Sequence, residues 1–209
     1  MSEPLRPESQ WAETHRGIYE RQAEGFDRHR GKTLMERAWL EKLCAFVPEG
    51  GRILDLGCGA GEPVARYLIE RGYAVTGVDF SDAMLDFARS RFPQARWINA
   101  DMRTLGLDER FDAIVGWDSF FHLTRDEQRA LIPLLAQHLS PGGAVLLTVG
   151  PEEGEVAGTV EGETVYHASL SREEYASLFQ ANGLALTHYV AEDPDCDYHS
   201  VLIASAPRG

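Results

Sequence analysis

One short segment limits the possible folds of this chain more than any other. Residues Arg52–Leu56 (RILDL) read as a strand and run straight into Gly57-Cys58-Gly59-Ala60-Gly61-Glu62-Pro63. Glycines at alternate positions let the backbone turn tightly and approach a ligand closely. Pro63 suits a first helical position, and Gly72 suits the position just past the end of that helix. Strand, glycine-rich turn and helix in this order open a β-α-β unit. The helix then presents free N–H groups and a positive dipole end to whatever the turn holds.

The rest of the chain repeats the alternation. Tyr73–Asp79 reads as a second strand, and Ser81 caps a helix with apolar positions Met84, Leu85 and Phe87–Ala88. Arg96–Ala100 and Phe111–Trp117 are further strands. Thr124 and Glu127 form a capping-box pattern opening a helix to about Leu139, with a kink or break expected at Pro133. Pro141-Gly142-Gly143 reads as a turn before a strand at Ala144–Val149. Residues 150–165, with five glutamates and four glycines, read as a loop at the end of the sheet where α/β folds bind ligands. Ser171 and Glu174 repeat the capping box, and Asn182-Gly183 ends that helix. Leu184–Ala191 and Tyr198–Ala204, joined by the acidic turn EDPDCD, are expected to pair as a hairpin. The expected fold is α/β: a Rossmann-like, doubly wound, mostly parallel sheet with a C-terminal antiparallel β-hairpin. Residues 1–45, helical in pattern, form an N-terminal cover over the sheet's edge or mouth, and 46–209 form the main domain.

Charge and cysteine usage narrow the partners. The 209 residues are 44% hydrophobic and 25% charged, and a chain of this length buries about 70% of its surface on folding. Twenty Lys+Arg against 33 Asp+Glu give a net charge of -13, which disfavours nucleic acid and anionic membranes. Cys44, Cys58 and Cys196 are odd in number and widely spaced, which argues against a disulfide framework or zinc site. The seven histidines show no ligand spacing, so no metal is expected. The polar N-terminus and the lack of a long apolar run point to a cytoplasmic protein. The terminal strands or N-terminal helices offer a homodimer interface, although no feature requires one.

Asp79 closes the second strand, 22 residues after Gly57. A carboxylate there can accept hydrogen bonds from both hydroxyls of a ribose, so turn and acid together imply an adenosine-containing cofactor. Two enzyme classes fit: a nicotinamide-dependent oxidoreductase and a methyltransferase using S-adenosylmethionine. The glycines follow G-x-G-x-G and lead into Glu62, an acid that would repel a pyrophosphate but not an amino-acid group with a sulfonium. A non-catalytic module that binds S-adenosylmethionine is a third reading, because fold alone does not fix function.

From Ile53 to Thr148 the chain resembles the class I S-adenosylmethionine-dependent methyltransferases of small-molecule type. The resemblance rests on LDLGCGAG, VTGVDFSDAML, NADMRTL, FDAIVGWDSFFHL and LSPGGAVLLT, in that order. The segment IYERQAEGFD is similar to the N-terminal Y-x-x-x-A-x-x-Y-D pattern of small-molecule members. The resemblance implies a seven-stranded sheet with its last strand antiparallel. It also implies that Gly57, Gly59 and Gly61 flank the methionine half of the cofactor, with Asp55 orienting the loop. Asp79 would hold the ribose and Phe80 would lie against adenine. Asp101 would accept from the adenine amino group, with Met102 beside it, and Trp117 would contact the methionine portion. Cys58 (placed for its small size), Met84 and Tyr19 complete the cofactor-binding set.

Methyl transfer is an in-line displacement from an already potent donor, so alignment and water exclusion dominate. A base is needed only where the acceptor must lose a proton. Asp118 and His122, just past the fourth strand, and His167, beside Tyr166, are the candidates. Tyr19, Phe26, His29 and Arg30 would line or close the pocket. The acidic surface favours a small-molecule acceptor, and Glu152, Glu153 and Glu155 suggest a cationic or amine one.

Overall fold

A computed structural model describes residues 11–207; residues 1–10, part of the expected N-terminal cover and the whole of the polar N-terminus, lie outside the described residues. Two helices, α1 (Trp11–His29) and α2 (Arg37–Cys44), precede the sheet. The β-α alternation follows as β1 (Arg52–Leu56), α3 (Val64–Glu70), β2 (Ala74–Asp79), α4 (Asp82–Arg91), β3 (Arg96–Asn99), β4 (Phe111–Gly116) and α5 (Arg125–Gln137). Then come β5 (Leu139–Val149), β6 (Gly154–Val160), β7 (Glu163–Ser169), α6 (Arg172–Ala181), β8 (Ala185–Asp193) and β9 (His199–Ser205).

Seven strands form one sheet in the order β3-β2-β1-β4-β5-β9-β8. β1 to β5 are parallel, and β9 runs antiparallel between β5 and β8. Both faces of β1 are buried because its side chains alternate. Ile53 joins α2 and α3 through Trp39, Leu40, Val64 and Leu68. Leu54 and Leu56 join the opposite core, built with Leu131, Ile132 and Leu135 of α5 and with Tyr175 and Phe179 of α6. The order reverses between β1 and β4, which opens a crevice beyond their carboxyl ends. α1 supplies residues to the wall of that crevice, whereas α2 packs on a sheet face.

Four local expectations are corrected. α5 runs unbroken through Pro133, because Leu131, Ile132 and Leu135 are fully buried on one face and outweigh the lost hydrogen bond. β5 begins at Leu139, and the expected turn at Pro141–Gly143 is an irregularity inside it, with Gly142 at φ +80°. The acidic segment 150–165 is not a loop: β6 and β7 pair as a two-stranded hairpin. Its turn residues Glu161 and Gly162 both have positive φ, as a two-residue turn of type I′ requires. The capping box of α5 forms in full, whereas at α6 only the Ser171 arm forms, because Glu174 is drawn to Arg129.

A buried polar node ties α5, α6 and β7 together. Gln128 Nε2 donates to the Leu123 and Ala168 carbonyls, while Tyr175 donates to Gln128 Oε1 at 2.7 Å. Replacing Gln128 by Leu would strand these buried groups. Gln128→Leu is expected to lose about 3 kcal/mol of stability in urea denaturation.

Candidate functional site

The glycine turn is held by its neighbours. Gly57 N and Cys58 N both donate to the Val78 carbonyl, at 2.7 and 3.2 Å, so the turn stays attached to β2. Gly57 has φ +70°, and a Cβ there would lie 2.3 Å from the Ser119 Cβ. Ser119 is itself fixed, because its Oγ donates to the Leu56 carbonyl at 2.6 Å. Gly59 has φ +51°, but a Cβ there would meet only the flexible Met84 methyl, at 3.0 Å. Gly61 faces Phe92 and Trp97 and lies outside the cavity wall.

Asp79 connects three elements. One carboxylate oxygen accepts from Gly59 N at 2.9 Å, and the other accepts from Ser81 N at 2.9 Å. Ser81 Oγ caps α4 by accepting from Met84 N, and donates to Glu20 of α1 at 2.7 Å. Burial pushes Asp79 up to about 6 despite its N–H donors. Burial, then repulsion from Asp79, pushes Asp55 up to about 7. Cys58 rises well above its ordinary value by burial, which makes it inert.

These residues wall a cavity of about 430 Å³ at the crevice. Asp55, Gly57, Cys58, Gly59, Asp79, Phe80 and Met84 line one part of it. Asp101 and Met102 line another, and Trp117, Asp118, His122 and Tyr19 a third. Trp117 is 3% exposed, and its indole Nε1 has no hydrogen-bond partner among the described residues. An orphaned buried donor in a cavity wall is free for a ligand. Asp101 is clasped by Arg103, whose backbone N and Nε both donate to it at 2.9 Å. Burial would raise that carboxyl, but Arg103 holds it below its usual value.

The three base candidates differ in placement. His122 Nδ1 lies 3.1 Å from the Tyr166 carbonyl, so it carries the proton, and Nε2 accepts from the Tyr19 hydroxyl at 2.9 Å. Burial and the neighbouring histidines 15 and 167 push His122 down to about 3. It is neutral, with both nitrogens occupied. His167 is outside the cavity wall; its ring stands edge-on to Phe121 and His122, and burial lowers it too. Asp118 lines the cavity but faces two cations, Arg30 at 3.3 Å and His199 at 3.0 Å. Burial would raise it, but these cations hold it below its usual value.

Phe26 and Arg30 also line the cavity, whereas His29 pairs with Glu161 outside it. The glutamates of the hairpin likewise do not reach the cavity wall. Glu153 and Glu155 pair with Arg125, and Glu163 with Arg21 and Gln22 of α1. They strap the hairpin to α5 and α1. Sequence reasoning missed His15, which accepts from Tyr166 N at 2.9 Å, as well as Glu20 and His199. Their signal is tertiary. Among the described residues, no cluster of His, Cys, Asp and Glu could hold a metal, and no helix is long and apolar enough to cross a membrane.

Strand order, glycine turn and acid-ended second strand together define the doubly wound nucleotide-site class in its methyltransferase form. Residues 53–143 match the family model described as a methyltransferase domain. The chain is 34% identical over 182 residues to a dTDP-3-amino-3,6-dideoxy-alpha-D-glucopyranose N,N-dimethyltransferase of Streptomyces fradiae, covering 80% of this chain and 69% of that protein. It is 34% identical over 159 residues to the dTDP-3-amino-3,4,6-trideoxy-alpha-D-glucopyranose N,N-dimethyltransferase of Streptomyces venezuelae, covering 71% and 64%. A crystal structure of the 1,6-didemethyltoxoflavin-N1-methyltransferase of Burkholderia thailandensis shares the fold, with TM-score 0.76 and 20% identity over 100% of this chain and 94% of that one. This chain belongs to the class I S-adenosylmethionine-dependent methyltransferase family. It spans between 47% and 69% of the length of the curated relatives it matches first.

Gly57→Ala meets Ser119 and a left-handed backbone, and is expected to cost at least about 3 kcal/mol; Gly59→Ala, with a yielding neighbour, should cost about 1 kcal/mol. Paired urea titrations check the order. His15 and His122, pushed down to about 4 and about 3, are neutral in the fold. The unfolded chain protonates first as pH falls below about 6.5, so stability present above that pH is lost on the way down. Asp55 and Asp79 act in the opposite sense. The comparison is therefore with His122→Gln, which should lose less stability than wild type between about pH 6.5 and 4.5.

Proposed function

We propose that this protein transfers a methyl group from S-adenosylmethionine to the nitrogen of a small-molecule amine. The observation that carries the amine is that none of the three residues His122, Tyr19 and Asp118, which share one part of the cavity wall with Trp117, is free to deprotonate a hydroxyl. His122 is neutral with both nitrogens engaged, burial raises the Tyr19 phenol, and Asp118 is neutralised by Arg30 and His199. A neutral amine needs no deprotonation before attack. The relatives named for N,N-dimethylation of dTDP-linked amino sugars support the same acceptor chemistry.

The residues present fit the cofactor. Bound there, S-adenosylmethionine supplies an electrophilic methyl group on a sulfonium. Asp79 has lone pairs left beyond its two N–H donors to accept ribose hydroxyls. Phe80 offers a face to adenine, and Asp101 an acceptor that Arg103 must share. The Trp117 indole N–H and the Arg30 guanidinium are donors for the aminoacyl end. Because the Tyr19 hydroxyl donates to His122, its oxygen is left as an acceptor for an amine N–H, a contact that orients the nitrogen lone pair. α1 acts as the cover that excludes water.

A nicotinamide cofactor fits poorly. Glu62 stands in the cavity wall at the start of α3, where a pyrophosphate would sit, and is held there by Arg66 at 2.5 Å. The acidic surface supports a small acceptor over nucleic acid, and three buried free thiols suit a reducing cytoplasm.

Calorimetry with S-adenosylmethionine, S-adenosylhomocysteine and NAD tests the cofactor. Micromolar binding of the first two is expected, lost in Asp79→Ala; binding of NAD alone overturns the reading. A panel of small amines and matched alcohols tests the acceptor, with turnover expected for amines only. Turnover of none of them would favour the binding-module reading. Tyr19→Phe should lower kcat/KM for the amine about 10- to 100-fold while leaving S-adenosylhomocysteine affinity within about threefold.

A further inference from the structure

Beyond the cavity wall, on the antiparallel strand β9, one side chain holds two wall residues at once. His199 Nε2 lies 3.0 Å from Asp118 Oδ1, and the His199 ring stacks on Trp117, with centroids 5.3 Å apart and planes at 25°. The ring's other nitrogen, Nδ1, lies 2.9 Å from the Cys196 carbonyl, so it donates there and fixes the ring's orientation. His199 is absent from the cavity wall, whereas Trp117 and Asp118 are both in it.

The backbone at this point is strained. Asp118 has φ +50°, a conformation that side-chain-bearing residues rarely adopt. It persists because it is over-determined: Asp118 N donates to Thr148 Oγ1 at 2.8 Å, and the carboxylate faces Arg30 on one oxygen and His199 on the other. The His199 contact lacks the alignment of a hydrogen bond, so charge attraction is its main component. Arg30 ends α1, lines the cavity and is a donor that a bound ligand can recruit.

We propose that His199 is a positioning residue: through its ring it keeps Trp117 and Asp118 at the end of β4 set for the cofactor's aminoacyl end. This rests on the cofactor reading above. Water leaves the cavity as the ligand enters, which strengthens the ion pair, so binding and a charged His199 favour each other. Asp118 beside it lifts His199 to about 8, so it is charged at neutral pH and loses that charge just above it. The other groups facing it are Arg30 across Asp118, the buried carboxyl of Glu36 before α2, which burial pushes up, and Cys196 and Asp197 in the turn before β9.

The test is the affinity for S-adenosylhomocysteine at about pH 7 and about pH 9.5, by calorimetry on the whole chain, for wild type and His199→Gln. The ligand's own α-amino group titrates in this range in both proteins, so the difference between them is the readout. His199→Gln should bind about tenfold more weakly than wild type near pH 7. Wild type should lose about tenfold more affinity than the variant on going to the higher pH. Equal pH dependence in the two, or a variant matching wild type at pH 7, overturns the proposal. Should His199→Gln not fold, wild type alone decides by NMR of the imidazole. Coupling is reciprocal, so saturation with S-adenosylhomocysteine must raise the His199 midpoint by about one pH unit, and an unmoved midpoint overturns the proposal. Failure of wild type to bind S-adenosylmethionine or S-adenosylhomocysteine at either pH removes the cofactor reading, and this proposal with it.

Discussion

The two-oxygen grip of Asp79 is the interaction on which the rest of this site depends. One oxygen holds Gly59 N in the first turn, and the other holds Ser81 N at the head of α4. A strand end, a glycine turn and a helix cap are thereby fixed around one buried carboxylate. Ser81 passes the connection on to Glu20, so α1 is anchored to the same point. Nearer its C-terminal end, α1 is held by Asp27, which pairs with Arg91 at the far end of α4. The α1 side of the cavity wall and the glycine-turn side therefore share one set of hydrogen bonds. Burial raises both Asp55 and Asp79, and repulsion from Asp79 adds to the rise at Asp55. A cationic ligand relieves that repulsion, and S-adenosylmethionine is such a ligand.

Across the cavity the histidines divide by environment. His15, His122 and His167 lie in an aromatic cluster with Trp11, Phe121 and Tyr166, and burial keeps them neutral. His199 lies beside a carboxylate and is charged. The same side chain thus serves as a fixed hydrogen-bond partner on one side and as a counter-ion on the other. Neither use leaves a free base. The site is built to align its reactants, which suits a reaction whose donor already carries its activation.

Much of the fold was legible in the sequence because its signals are local. Three glycines between a strand and Pro63, the caps at Ser81 and Thr124, and Gly72 and Gly183 beyond helix ends each state a backbone requirement within a few residues. The hairpin of β6 and β7 was missed because Glu161-Gly162 is a less usual type I′ pair than Asn-Gly, and its glutamates read as solvent-facing loop. Pro133 misled for the converse reason: the local rule says break, and three buried leucine and isoleucine side chains hold the helix together.

The sequence by itself determined one half of the cavity wall. Asp55, Gly57, Gly59, Asp79 and Asp101 lie at fixed distances from strand ends, and a strand end can only meet the crevice where the sheet order reverses. The other half was decided by tertiary structure alone. Tyr19 meets His122 across 103 positions, and His15 meets Tyr166 across 151. His199 reaches Asp118 only because β9 inserts beside β5. No spacing rule carries such pairs. Whether a histidine is a base, a spacer or a counter-ion depends on the dielectric and the charges around it, and those exist only once the chain has folded.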